Sequence, residues 1–286
     1  MKIAIIVDSA SGLTKQMCAD MGIYFLPLYI NIGGKEYEDG IDLNSGEVLK
    51  YIDKDSQVST SMTPVGKAIE VVDQLVKKYD KVVIYPISHN LSSQYANLKS
   101  TFASYKNVDI VKSKKLTLLT VLDIIRFKKD IENGVDYQVA FSKLEKEYEG
   151  KFLLVPKFND ALVRGGRLSP SVAAIAKLLK IVPVIKLEDG SLQKEGKGRI
   201  FRKALFNFYK DTIDSLPKNY KTVIIHSGNK EIEEIKNEFE NYSSQKIEVF
   251  TIPNTIAIHT GVEAVAFGVL NIEQNEIDEF IKIFKK

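Results

Sequence analysis

Tryptophan is absent from this chain, cysteine occurs once, at Cys18, and histidine only three times. A lone thiol builds no disulfide framework and no cysteine metal site. The histidines, His89, His226 and His259, stand at no metal-binding spacing, so zinc chemistry has no ligand set. No stretch approaches the roughly 20 apolar residues that cross a bilayer. The apolar run at residues 3–7 is too short for a signal peptide and ends at Asp8, so the cytoplasm is the expected compartment. There is no Gly-x-x-x-x-Gly-Lys-Ser/Thr loop, no Gly-x-Gly-x-x-Gly after the first strand and no Gly-x-Ser-x-Gly elbow, which disfavours nucleotide hydrolysis and the usual serine hydrolase frame. Charge of one sign is missing too: the net charge is +3 and the lysines are spread along the whole length, not the footprint of a nucleic-acid binder. Arginine is scarce, with Lys+Arg at 40 and lysine supplying nearly all of it.

What arginine there is falls in one region. Arg164, Arg167, Arg199 and Arg202 leave only Arg126 elsewhere. A planar guanidinium holds a carboxylate or phosphate by two parallel hydrogen bonds, as an ammonium cannot, so the run Arg164-Gly165-Gly166-Arg167-Leu168-Ser169 marks a candidate site. The plainer reading makes these arginines helix-flanking surface charges.

At 286 residues, with 44% hydrophobic and 27% charged, the chain fits two ordinary domains, expected at 1–150 and 151–286. In the first, continuous apolar runs at 3–7 and 81–87 read as buried parallel strands, each delivering a polar turn into a helix. Residues 24–32 read as one strand closed by Gly33-Gly34, and 108–111 as another. Helices are expected at 13–21, 44–54, 64–78, 93–105, 116–129 and 136–148. The alternation implies a parallel sheet covered on both faces, an α/β/α domain. After Gly150 the pattern changes to a strand at 152–155, helices at 159–163 and 170–180, and a hairpin turning at Asp189-Gly190. A helix at 200–215, strands at 221–226 and 247–252 around a helix at 231–242, a strand at 257–259 and a closing helix at 276–284 complete an α+β domain, its mixed sheet carrying helices on one face.

Ligands of open parallel sheets bind beyond the carboxyl ends of the strands, where turns enter helices. Two such turns carry hydroxyls, Asp8-Ser9 and Ser88 through Ser92, and Thr60-Ser61 adds two more before a helix. Exposed amides and hydroxyls there can receive an anion, although serine caps helices everywhere. His259-Thr260-Gly261 lies at the end of an expected strand; a single histidine is more often structural than catalytic. His226 has a poorer claim, and His89 reads as a solvated turn residue. Hydroxyls, one imidazole and forked cations suit a ligand with a small anionic head and an apolar body.

Taken in order, these pieces resemble the DegV family of bacterial fatty-acid-binding proteins, which present acyl chains to a separate fatty-acid kinase. The resemblance rests on Val7-Asp8-Ser9, Thr60-Ser61, Ile87-Ser88 with Leu91-Ser92 and Tyr95, Gly165-Gly166-Arg167-Leu168-Ser169, Ile181 and Pro183 with Asp189-Gly190, Lys197 with Arg199, and His259-Thr260-Gly261. It implies a two-domain DegV-like α/β fold and a lipid carboxylate near the domain interface. Thr60, Ser61, Ser92 and His259 are placed around that carboxylate, and Arg167 and Arg199 where the kinase or the phosphoryl group arrives. Ser9, Ser88, Gly165, Gly166 and Thr260 are secondary candidates. The implied function is binding a long-chain fatty acid and presenting it to the kinase, with no catalysis by the chain itself, no cofactor, no nucleic-acid partner and transient contact with a membrane surface. Two other functions remain open: a hydrolase or acyltransferase using Ser88 or Ser92 with His259 as base and Asp8 or Glu263 as its acid partner, and a sensor of a small anionic metabolite. The family commonly reads Thr-Ser-Gln-Pro, Leu-Ser-Gly-Thr and Thr-Gly-Pro-Gly where this chain has Thr60-Ser61-Met62-Thr63, Leu91-Ser92-Ser93-Gln94 and Thr260-Gly261-Val262-Glu263. Val182 stands for the usual lysine, and Glu263 is expected to bring negative charge close to His259.

Overall fold

The computed structural model describes residues 1–52, 57–169, 171–172, 174 and 181–285. They form two compact units, one of Met1–Ser45 with Gln57–Glu147, the other of Gly46–Ser56 with Tyr148–Lys286. A single cut near residue 150 therefore misses one segment: 46–56 belongs by its contacts to the second unit.

The first unit contains β1 (Ile3–Asp8), β2 (Tyr24–Leu26), β3 (Tyr29–Ile32), β4 (Lys35–Glu38), β5 (Val58–Ser61), β6 (Lys81–Tyr85) and β7 (Val108–Ile110). A parallel sheet runs in the order β2-β1-β6-β7, and its central strands are buried, as their unbroken apolar runs require. Ala4, Ile6, Val82 and Ile84 pack against Ala68, Val72 and Leu75 of helix Val65–Leu75 and against Leu98 of helix Gln94–Thr101. Residues 24–32 are two strands rather than the expected one. Pro27 interrupts them, since its ring nitrogen offers no ladder proton, and β3 leaves for a separate antiparallel sheet ordered β4-β3-β5. The helix expected at 44–54 is a short 3-10 turn, Glu47–Tyr51, with residues 53–56 of that reading outside the described set.

The second unit contains β8 (Gly150–Val155), β9 (Val182–Glu188), β10 (Ser191–Gly198), β11 (Lys221–His226), β12 (Glu248–Thr251) and β13 (Val265–Leu270), in a mixed sheet ordered β10-β9-β8-β13-β11-β12. Only the β11–β12 pairing is parallel. Tyr209 of helix Phe201–Ser215 stacks on Phe239 of helix Ile232–Ser243 at 3.7 Å between ring centroids, and both meet Phe267 of β13 edge-on. Helices cover the opposite face as well, contrary to the one-sided expectation. Phe250 pairs with Ile225 on that face and is met by Phe280 and Phe284 of helix Gln274–Phe284.

The expected hairpin is present, turning at Asp189 (φ 48°) and Gly190 (φ 72°). The expected strand at 257–259 is instead the end of a helix, Asn254–Thr260, entered at Pro253 with φ −54°. Pro253 pre-sets a helical φ and its missing amide proton costs nothing at a helix start. The strand of this region is β13, between β8 and β11 and buried throughout. Of the helix expected at 170–180, Ser171, Val172 and Ala174 are described and helical; the rest lies outside the described residues.

Candidate functional site

In the first unit, Asp8 ends β1 and is almost fully buried. Its carboxylate accepts the Ile87 amide at 2.7 Å and the Ala10 amide at 3.1 Å, tying the exit of β1 to the exit of β6. Burial pushes its pKa up to about 7 against those two amides. Ser9 is buried and its hydroxyl accepts from the Leu28 amide at 3.2 Å, so it fastens the start of the second sheet. Ser88 is wholly buried; its amide donates to the Lys115 carbonyl at 2.9 Å and its hydroxyl accepts from the Asn90 amide at 3.3 Å. His89 is half-buried rather than solvated, with Nδ1 at 2.8 Å from the Ser113 carbonyl and its ring edge-on to Tyr95.

Ser92 is half-buried and accepts the Gln94 amide at 3.1 Å, a local turn. Thr60 and Ser61 end β5, opposite Ile30 and Tyr29. Strand alternation sends them to opposite faces, and only Thr60 is half-buried while Ser61 is exposed. What joins this strand end to the Ser92 turn is a side chain that sequence reasoning passed over. Gln94 accepts from the Thr63 amide at 3.1 Å and donates to the Thr63 hydroxyl at 2.8 Å, and that hydroxyl donates to the Pro27 carbonyl at 2.8 Å. Both are buried. Two of the departures from the family pattern thus answer one another: a proline at position 63 would offer neither the amide nor the hydroxyl.

The same unit holds a buried ion pair. The Lys115 ammonium contacts the Asp123 carboxylate, which also accepts from the Tyr85 hydroxyl at 2.6 Å. Burial raises the Asp123 pKa and the Lys115 charge works against it.

In the second unit, helix Asp160–Gly165 packs against helix Asn254–Thr260. Gly166 ends the first in the left-handed region, φ 65°. The close approach of the two helices needs Gly165, since a Cβ there would stand 2.8 Å from Nδ1 of His259. The exposed Arg167 folds back and donates from Nη1 to the Gly165 carbonyl at 2.7 Å, a cation over the carbonyl end of a helix. Burial lowers the His259 pKa to about 4 and the Arg167 charge adds to it, so the imidazole is neutral at pH 7. Thr260 is buried, and its hydroxyl has no hydrogen-bond partner among the described residues.

Glu263 does not act on that imidazole as expected. Its carboxylate lies 3.2 Å from the Lys157 ammonium, and burial and Arg167 account for the state of His259. His226 is structural, accepting the Asn229 amide at 2.9 Å. The arginine cluster also divides. Arg202 is held by Glu231, Glu234 and Glu238. Leu168 bridges Leu192 near the start of the edge strand β10, while the exposed Arg199 follows that strand's end. The strand between them spans roughly 20 Å, so Arg167 and Arg199 are two separate cations and not one clamp.

Among the described residues no group of three or more His, Cys, Asp or Glu could hold a metal ion, and no helix is long and apolar enough to cross a membrane.

A parallel-sheet unit and a mixed-sheet unit define a two-unit α/β protein. The model of the DegV family matches residues 2–271, and the chain belongs to that family. A DegV domain-containing protein of Mycoplasmopsis pulmonis is 44% identical over 290 residues, covering 99% of this chain and 100% of the relative. Among solved structures, a stearic acid-binding protein of Eubacterium ventriosum matches with TM-score 0.81 and 25% identity over 94% of this chain and 98% of its own. A fatty acid binding DegV family protein of Streptococcus agalactiae matches with TM-score 0.81 and 25% identity over 96% and 100%.

Proposed function

We propose that this chain binds a long-chain fatty acid, with Thr60, Ser61, Ser92 and His259 receiving its carboxylate, and presents that carboxylate to a partner fatty-acid kinase. It works in the cytoplasm, takes its ligand during transient contact with a membrane surface and uses no cofactor. The observation that carries the reading is the state of His259: a half-buried imidazole, kept neutral, lying against Gly165 with a guanidinium beside it. A neutral N–H and hydroxyls hold a carboxylate without the tight ion pair that would blunt it as a nucleophile. Relatives of the same fold that bind fatty acids support it. Each buried methylene contributes about 0.8 kcal/mol, so the acyl chain supplies most of the affinity and the polar groups the orientation.

In this reading the chemistry belongs to the kinase. A carboxylate oxygen attacks the terminal phosphorus of the nucleotide that the kinase holds, the bond to the leaving diphosphate breaks, and an acyl phosphate results. Arg167 stabilises charge developing on the transferred group, and Arg199, a strand length away, meets the kinase surface.

Mass spectrometry of the purified protein, native and then denatured, tests the reading. A stoichiometric long-chain acid is expected; a folded protein that carries none and takes up none refutes it. His259→Ala is expected to weaken binding roughly tenfold, by loss of one hydrogen bond to a charged group. Unchanged affinity would remove His259 from the head group. Arg167→Ala is expected to leave lipid affinity within about twofold while phosphorylation of the bound acid falls on the order of 100-fold, the effect of one lost transition-state donor. Equal loss of both would assign Arg167 to binding instead.

A further inference from the structure

Two helical threonines in this chain return their hydroxyl to the backbone one turn earlier, whereas Thr120, Thr255 and Thr260 have buried hydroxyls with no hydrogen-bond partner among the described residues. Thr101 donates to the Asn97 carbonyl at 2.9 Å, and Thr212 to the Phe208 carbonyl at 2.7 Å. Thr255 does not. It is 3% exposed, and its Oγ1 has no hydrogen-bond partner among the described residues. Its place explains why the usual outlet is missing: Thr255 is the second residue of helix Asn254–Thr260, so the residue four earlier, Thr251, lies in β12. A buried hydroxyl left this way works against folding, and valine, nearly the same shape, would avoid that penalty.

The helix also fixes what the hydroxyl stands beside. Thr255 and His259 are four residues apart, so their Cβ atoms are about 5–6 Å apart on one face. Helical side chains lean toward the amino terminus, which brings the imidazole back over the turn that bears Thr255. A neutral imidazole carries a single N–H, and a carboxylate has two oxygens to satisfy.

We propose that Thr255 is a further ligand-contacting residue, donating a hydrogen bond to the carboxylate of the bound acid alongside the one from His259. This rests on the fatty-acid reading above. It gives the paired donors a defined selectivity: a ligand with a carboxylate satisfies both, whereas the corresponding long-chain alcohol or methyl ester leaves one of them short.

The decisive experiment compares delipidated wild type, Thr255→Val and Thr255→Ser by thermal melting and by titration with palmitate and with methyl palmitate. Thr255→Val is expected to melt higher by roughly 2–4 °C without ligand, because the uncompensated hydroxyl is gone. It should nonetheless bind palmitate roughly tenfold more weakly, while methyl palmitate binding changes much less. Thr255→Ser should restore palmitate affinity. A valine variant that binds palmitate as well as wild type overturns the assignment while leaving the fatty-acid reading intact. Equal losses for acid and ester assign Thr255 to packing and overturn it too. A wild type that binds neither lipid refutes both.

Discussion

Replacing Gly150 with alanine is expected to destabilise the mixed-sheet unit by more than about 4 kcal/mol, enough to leave it largely unfolded. Gly150 opens β8 opposite Leu270 in the strongly buried β13, with φ 127°, where L side chains are strained. A Cβ there would stand 2.2 Å from the Val269 carbonyl oxygen and 2.8 Å from the Leu270 Cα. Both obstacles are backbone in a central strand, so neither can swing aside as a flexible side chain would. Relief requires parting β8 from β13, whose face carries Phe267 under the Tyr209–Phe239 stack. Urea denaturation and soluble yield measure the loss. Gly66 is the control, since it lies in helix Val65–Leu75 with nothing within 4 Å of an added methyl and with no left-handed φ. Gly66→Ala is expected to be neutral or to stabilise by up to about 1 kcal/mol. A Gly150→Ala protein that melts with wild type would show that the strand end relaxes freely.

Asp123→Ala is expected to cost the parallel-sheet unit about 3–5 kcal/mol. The loss comes less from the missing attraction than from what is stranded. The Lys115 side chain is only 3% exposed, so its ammonium would remain buried without a counter-charge, and the Tyr85 hydroxyl would lose its 2.6 Å acceptor. The effect should reach the candidate site, because the Lys115 carbonyl holds the Ser88 amide and the Ser113 hydroxyl. Pairing Asp123→Leu with Lys115→Met removes both charges, and a large part of the stability is expected to return. Denaturant melts of the single and double variants decide the matter: a single-variant loss below about 1 kcal/mol would mean that water reaches Lys115 and that the pair is no structural anchor.

The parallel strands were legible because burial on both faces leaves an unbroken apolar run, and the hairpin because Asp189-Gly190 can take positive φ. The helix bearing His259 was not. Thr255-Ile256-Ala257-Ile258 has the β-branched, apolar look of a strand, and only Pro253 and the packing on helix Asp160–Gly165 turn it the other way. β13 was missed for a related reason, since Gly268 interrupts its run; that glycine instead makes room for Phe152, whose ring would lie 2.8 Å from a Cβ.

For the site, the resemblance grouped Thr60, Ser61, Ser92 and His259, set Arg167 with Arg199 and kept Gly165 as a secondary candidate; in the mixed-sheet unit Gly165, Arg167 and His259 lie together. It did not reveal Gln94 with Thr63, nor Lys115 with Asp123, because a pairing between distant side chains leaves no local pattern. Thr255 was invisible for a different reason. A threonine in a short helix stands out only once its hydrogen bonds have been traced.

Segment 46–56 has one more consequence. The chain leaves the parallel-sheet unit at Ser45, contributes the buried Val48 and a 2.9 Å bond from the Gly46 amide to Asn254 of the mixed-sheet unit, and returns at Gln57. A fragment beginning at Tyr148 would lack that bond at the base of the His259 helix, and the complementary fragment would carry a loop whose anchor had gone. The two halves are interleaved in synthesis: the mixed-sheet unit receives one of its pieces from the ribosome about a hundred residues before the remainder, which follows only after the whole parallel-sheet unit has been made.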